Sequence, residues 1–118
     1  MMLMGAEVLM YPTAIGSEPE NPGLDTRDRW RRAMTGHAVS NVVPVAAANR
    51  IGDEEGQIFY GSSFIVDDGG DFLADMSRDE EGFTAATVDL DHLDERRASW
   101  GFFRDRRPEL YGKLTGNR

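Results

Sequence analysis

A carboxylate and a hydroxyl follow the first apolar strand that the sequence predicts. Residues 6–11 form a short apolar run, and Thr13 and Glu18 lie in the loop that leaves it. Open α/β sheets bind ligands beyond the carboxyl ends of their strands. Glu18 would suit the ammonium group of a substrate there, and Thr13 could donate or accept a hydrogen bond. On spacing alone, a surface acid in a polar loop explains Glu18 almost equally well.

The residues that could form a nucleophilic triad are poorly arranged. Ser62 and Ser63 follow Gly61, but without the Gly-x-Ser-x-Gly spacing, and only His37 and His92 could act as a base. We expect His37 to be a hydrogen-bonded histidine on the buried face of a helix and His92 to be solvated. The chain has no cysteine, which excludes disulfides, thiolate metal sites and a cysteine nucleophile within it.

An acidic cluster, Asp67, Asp68, Asp71 and Asp75, raises the possibility of a calcium site because carboxylates are hard oxygen ligands. The spacing does not match an EF-hand loop, and no Glu closes it. A solvated hairpin tip is the favoured interpretation. We therefore expect no metal site.

The net charge is −8, from 21 acidic and 13 basic residues. This charge repels phosphates, so we expect neither a nucleic-acid partner nor an anionic membrane partner, whereas a cationic small molecule fits the field. No apolar stretch has membrane length. We expect a soluble, cytoplasmic protein.

The elements that would hold these side chains form an α/β pattern in one domain. Met1–Met4 resemble a last helical turn ended by Gly5. A helix from Asp25 or Thr26 to about Ser40, with Trp30, Ala33, Met34, His37 and Ala38 on its buried face, and a strand over 42–48 complete a β-α-β unit. Four more strands follow at 58–60, 63–66, 72–76 and 83–88, then a helix at 91–100.

The last segment, 101–118, is basic and has little periodicity. Its dense charges, Arg104 to Arg107, could bind phosphate. Their mixed sign and the flanking aromatics Trp100, Phe102, Phe103 and Tyr111 favour a protein contact instead. We expect a homo-oligomer formed through this tail.

Several motifs resemble the N-carbamoylputrescine amidohydrolase branch of the nitrilase superfamily. They cover nearly the whole chain. The motifs are Pro-Thr-Ala-Ile-Gly-Ser-Glu-Pro at 12–19, Asp-Arg-Trp-Arg-Arg-Ala-Met-Thr-Gly-His-Ala at 28–38, Ala-Ala-Asn-Arg-Ile-Gly at 47–52, and Trp-Gly-Phe-Phe-Arg-Asp-Arg-Arg-Pro at 100–108. The first and last are specific to that branch, and the third is common across nitrilases.

The resemblance implies a four-layer α-β-β-α sandwich, dimeric or larger, of which residues 1–118 would be the C-terminal part of one domain. It implies hydrolysis of a carbamoyl-amine by a Glu, Lys and Cys triad without metal or organic cofactor. All three triad members would lie N-terminal to the matching region, so none transfers to this chain. Only Tyr11 to Glu18 transfers, as substrate-side structure with Glu18 facing the distal amine.

We therefore expect a fragment of a carbon–nitrogen hydrolase that is inactive alone, whose parent converts N-carbamoylputrescine to putrescine, carbon dioxide and ammonia. Two alternatives stay open. One is a non-catalytic partner that docks on a nitrilase-type subunit, and the other is a parent with the substrate of a ureidopropionase or an aliphatic amidase.

Overall fold

The computed structural model describes residues 1–116. Its architecture is a four-stranded sheet with one helix packed on it, a separate two-stranded hairpin and a C-terminal segment of short helices. The strands are β1 (Leu9–Thr13), β2 (Val45–Asn49), β3 (Ile51–Glu54), β4 (Gln57–Tyr60), β5 (Phe64–Val66) and β6 (Phe72–Asp75), and the helices are α1 (Arg27–Asn41), α2 (Leu93–Trp100) and α3 (Gly112–Thr115).

The β1-α1-β2 unit is the part of the fold that determines where the strand ends meet. β1 and β2 pair in parallel, with Leu9 opposite Val45 and Thr13 opposite Asn49. Parallel neighbours require a long crossover, which α1 provides. β1 begins later than the apolar run predicts and includes Pro12, because β1 is an edge strand and an edge tolerates a residue without an N–H.

The rest of the sheet is antiparallel, in the order β1-β2-β5-β6. The predicted turn at 67–70 does join β5 to β6: Asp67 Oδ1 accepts hydrogen bonds from the N–H groups of Gly69 and Asp71, both at 2.9 Å, and Gly70 has φ 89°. This carboxylate is thus part of the turn. Within residues 1–116 no cluster of three metal-binding side chains occurs.

The core lies between α1 and one face of the sheet. Trp30 of α1 packs its ring edge-on against Phe64 of β5, with the ring centroids 5.6 Å apart. Ala38, Val45 and Val66 are fully buried in the same cluster.

The opposite face of the sheet is uncovered. Met10 is 76% exposed, and a cavity of about 470 Å³ lies over Met10, Ala46 and Ile65, with Phe83 at its margin. This apolar face is open to solvent in the structure of residues 1–116, and exposed apolar surfaces of this kind mark contact sites.

Several predictions about local structure were wrong. Ala33 and His37 are exposed, because the buried stripe of α1 runs through Trp30 and Ala38. His37 lies beside β1, where its Nδ1 is 2.9 Å from Tyr11 Oη. Residues 83–88 form no strand; they find no pairing partner among the described residues. The strand β3 was missed because Gly52 and two acidic residues hide its pattern.

The secondary structure of the N-terminal turn and of the tail differs from the prediction. Met2–Met4 is a single 3-10 turn, and Gly5 does adopt the predicted left-handed conformation after it, with φ 88°. The tail contains the 3-10 turn Pro108–Leu110 and α3. No helix of the described part is both long and apolar enough to cross a membrane.

Candidate functional site

The carboxyl ends of β1 and β2 place Thr13 and Asn49 side by side. Thr13 Oγ1 lies 2.9 Å from Asn49 Oδ1 and 3.0 Å from Ala48 O, so side-chain contacts join the two strand ends beside the backbone bond from Arg50 N–H to Thr13 O at 3.1 Å. Thr13 is part-buried and its hydroxyl proton is used inside the protein. It therefore fixes the edge of the sheet, and its availability to a substrate remains a prediction.

The amide of Asn49 is the centre of this edge. Its Oδ1 accepts the N–H of Ile15 at 2.9 Å, and its Nδ2 donates to Ile15 O and to Gly61 O, each at 2.9 Å. Both amide donors and the acceptor have partners in two different loops. Asn49 thus ties the loop after β1 to the turn before β5.

The loop after β1 is also tied to the hairpin β3-β4. Ser17 N–H donates to Ile58 O at 2.7 Å, and Ile58 N–H donates to Ser17 Oγ at 3.1 Å. Gly16 lies so close to β4 that an added Cβ would stand 2.1 Å from Ile58 O. Only glycine fits that contact, so the position of residues 16–18 is set by two separate elements.

Glu18 follows Gly16 and Ser17, whose contacts with Ile58 of β4 form a clamp on this loop. Its backbone carbonyl accepts the N–H of Asn21 at 2.8 Å, closing a turn. Its side chain is exposed and has no hydrogen bond or ion pair with any residue of 1–116. The structure therefore presents a free carboxylate, on a fixed loop, at the carboxyl edge where sequence reasoning placed it.

The turn before β5 contains two consecutive residues in the left-handed region, Gly61 with φ 48° and Ser62 with φ 61°. Ser62 is buried, donates to Tyr60 O at 2.8 Å and accepts from Arg27 Nε at 2.7 Å. Positive φ is uncommon for a serine, and these bonds stabilise it. Its role is to hold α1 against this turn.

Neither histidine reaches a serine. His37 Nδ1 lies 2.9 Å from Tyr11 Oη, and His92 lies beside Asp89 and Glu95 at the surface. The expected solvation of His92 is confirmed by its exposure of 59%. A Ser-His pair is therefore not assembled within the described residues.

A second polar group surrounds Tyr60 next to the Glu18 loop. Arg78 Nη2 lies 2.5 Å from Asp25 Oδ2, and Tyr60 Oη lies 3.3 Å from Thr26 Oγ1. Burial raises the pKa of Tyr60 above its ordinary value of 10.0, since the phenolate would be poorly solvated. Sequence reasoning missed this group and Asn49. A polar residue that ends an apolar strand was the available signal for Asn49.

The tail carries exposed aromatic and aliphatic side chains. Trp100 is 59% exposed and packs on Phe102, with the ring centroids 5.4 Å apart. Phe102, Leu110 and Tyr111 are exposed as well. Arg104 is paired with Asp105 and Arg107 with Glu109, so the charge run is largely self-neutralised.

The motifs of this chain resemble those of carbon–nitrogen hydrolases, and comparison with known proteins shows that family. Residues 1–98 match the carbon–nitrogen hydrolase family, and the chain belongs to that family. It is 54% identical over 97% of its length to the N-carbamoylputrescine amidase of Arabidopsis thaliana and 49% identical over 98% to a citrullinase of Francisella tularensis.

The solved structures give the same result. A carbon–nitrogen hydrolase from Helicobacter pylori superposes with a TM-score of 0.89 at 40% identity, covering 99% of this chain and 43% of that one. This match confirms the α/β fold of the nitrilase superfamily. The chain spans 41% of the Arabidopsis relative and 42% of the Francisella relative.

Proposed function

We propose that residues 1–118 are the C-terminal part of a single carbon–nitrogen hydrolase domain and supply its amine-binding side. The complete protein would hydrolyse the ureido group of N-carbamoylputrescine, giving putrescine, carbon dioxide and ammonia. The observation that carries the proposal is Glu18, a carboxylate without a partner in residues 1–116 on a loop fixed by Asn49 and β4.

The chemical role of Glu18 is to bind the distal ammonium of the substrate. A carboxylate that accepts a charge-assisted hydrogen bond from an ammonium gains about 1.5 to 3 kcal/mol. The net charge of −8 attracts such a substrate and repels anionic competitors. Hydrogen bonds of Asn49 hold the carboxyl ends of β1 and β2 and the loop after β1 together. Little ordering of that loop is therefore required when the amine binds.

The bond-breaking groups come from outside this chain. The family resemblance implies a cysteine nucleophile, a glutamate acid and base, and a lysine that stabilises the oxyanion. The chain has no cysteine, so acyl transfer to a thiolate cannot occur on it. We therefore expect the isolated chain to be inactive.

Two surfaces would join the chain to the rest of its assembly. The apolar sheet face at Met10, Ala46 and Ile65 would pack on the second sheet of an α-β-β-α sandwich, as the family fold implies. The tail from Gly101 to Tyr111 would then pack across the subunit boundary of a homo-oligomer, because its exposed aromatics are typical interface anchors.

Citrulline is the second candidate substrate. The citrullinase relative is 49% identical to this chain, within the range of 48 to 54% for the N-carbamoylputrescine amidases. Citrulline has the same ureido group, but its far end is an α-amino acid and carries a carboxylate beside the ammonium. A single free carboxylate at Glu18 fits the ammonium alone and favours N-carbamoylputrescine.

A chimera tests the proposal. In the Arabidopsis amidase, the segment that matches this chain is replaced by residues 1–118, and ammonia release from N-carbamoylputrescine is measured. We expect turnover by the chimera and none by the isolated chain. A chimera with normal circular dichroism and no turnover of either ureido substrate would support the alternative of a non-catalytic partner.

A further inference from the structure

A small cavity lies beside the Glu18 loop at the carboxyl edge of the sheet. Its volume is about 190 Å³, and its lining includes Ser17, Asp25, Tyr60 and Arg78. Ser17 precedes Glu18, and Asp25 lies just before α1. The cavity therefore connects the loop that carries Glu18 with the start of the helix.

The charges in this cavity are paired. Arg78 Nη2 donates to Asp25 Oδ2 at 2.5 Å, with about half of each side chain exposed. Asp25 is fixed independently, because its Oδ1 accepts the N–H of Arg27 at 3.0 Å. That backbone bond, and then the bond from Arg78, hold the pKa of Asp25 below its ordinary value of 3.8. Asp25 is ionised at neutral pH and cancels the charge of Arg78.

Tyr60 links the two sides of this cavity. Its ring centroid lies 5.9 Å from Arg78 Cζ, and its hydroxyl lies 3.3 Å from that of Thr26, just before α1. Burial is the main cause that raises the pKa of Tyr60. Asp25 and Arg78 line the cavity, and the third charged residue, Glu18, follows the lining residue Ser17. Of the three, Glu18 is the one without a partner in residues 1–116.

We propose, on the basis of the proposed function, that the Asp25–Arg78 pair determines which amine end the site accepts. Asp25 keeps Arg78 away from Glu18 and from a substrate carboxylate. The site then presents one net negative charge, which suits a lone ammonium. Without Asp25, Arg78 would neutralise Glu18 and attract the carboxylate of an α-amino acid end.

The test uses Asp25→Asn in the chimera, with N-carbamoylputrescine and citrulline as substrates. Asparagine keeps an oxygen for the N–H of Arg27, so the start of α1 is preserved. Removing one half-exposed charge near the bound ammonium changes binding about three- to tenfold. We expect kcat/KM for N-carbamoylputrescine to fall by that factor, and the preference for it over citrulline to fall about tenfold.

Two further variants separate specificity from structure. Asp25→Asn combined with Arg78→Gln removes the released cation and should restore the preference to within about twofold of the unmodified chimera. Asp28→Asn is the matched control, since Asp28 is also paired with an arginine, Arg27 at 2.9 Å, but does not line this cavity. Its preference should equal that of the unmodified chimera.

The outcomes are distinguishable. An active chimera whose preference is unchanged by Asp25→Asn overturns this inference and leaves the role of Glu18 intact. Equal losses on both substrates, not reversed in the double variant, would mean that Asp25 only supports the fold. A folded chimera that hydrolyses neither substrate overturns the proposed function and this inference with it.

Discussion

Replacing Asn49 by alanine should lower the free energy of unfolding more than any other single polar substitution at the carboxyl edge of the sheet. The change removes the partners of three backbone groups, Ile15 N–H, Ile15 C=O and Gly61 C=O. Thr13 Oγ1 keeps Ala48 O as an acceptor, so its loss is small. At about 1 kcal/mol for each lost bond, the free energy of unfolding should fall by about 3 kcal/mol.

The assay is urea unfolding of the purified chain, followed by tryptophan fluorescence because Trp30 lies in the core. With a urea slope of about 1.5 kcal/mol per M, the midpoint should fall by about 2 M. If the Asn49→Ala chain does not fold alone, the unmodified sequence and Asn49→Ala are compared within the chimera.

Asn41→Ala is the matched control. Its Nδ2 donates to His37 O at 2.9 Å, but the site is exposed and water can replace the bond. We expect a loss of about 0.5 kcal/mol or less. If Asn49→Ala costs no more than Asn41→Ala, the edge is held by the strands themselves and the reasoning about Asn49 is refuted.

Three further changes test other parts of the account. Gly16→Ala forces a Cβ against Ile58 O and should destabilise the chain by about 2 kcal/mol in urea unfolding. The control Gly36→Ala, in open space on α1, should stabilise the chain slightly, and equal effects of the two changes would contradict the clamp on β4. Deleting the residues after Gly101 should lower the oligomeric state in sedimentation velocity, and an unchanged profile would count against a tail-mediated contact. Because the pKa of Asp25 in the folded chain is lowered, its ionised form stabilises the chain above pH 3.8. The stability difference between wild type and Asp25→Asn should therefore shrink as the pH falls below that value, and a difference that is constant from pH 7 to 3 would contradict this.

The β-α-β unit was predictable because it depends on local pattern, although both strands begin three residues later than their apolar runs. Apolar runs of strand length on either side of an amphipathic helix predict a parallel pair, and Gly70 in a turn predicts the β5-β6 hairpin. The same reasoning placed Glu18 at the carboxyl edge, in the loop after the first strand, and its role in substrate binding stays a prediction.

The rest depended on contacts between distant residues. The pairing of Asp25 with Arg78 spans 53 positions, and no local pattern relates them. His37 is exposed because α1 packs on the sheet through Trp30 and Ala38, and periodicity within the helix cannot show which residues of the apolar stripe meet the sheet. Residues 83–88 have the composition of a strand, but in the described part of the chain they pair with neither edge strand of the sheet, β1 or β6. Pairing is a property of the whole sheet and cannot be read from local composition.

The most direct test of the central claim is the charge dependence of Glu18→Gln in the chimera. Hydrolysis of N-carbamoylputrescine is compared with that of butylurea, which has the same ureido group and chain but lacks the ammonium. If Glu18 binds the ammonium, kcat/KM for N-carbamoylputrescine should fall by about one to two orders of magnitude, and that for butylurea should not change. Equal losses on both substrates would show that Glu18 supports the loop, and they would contradict the assignment of this chain to the amine-binding side of the enzyme.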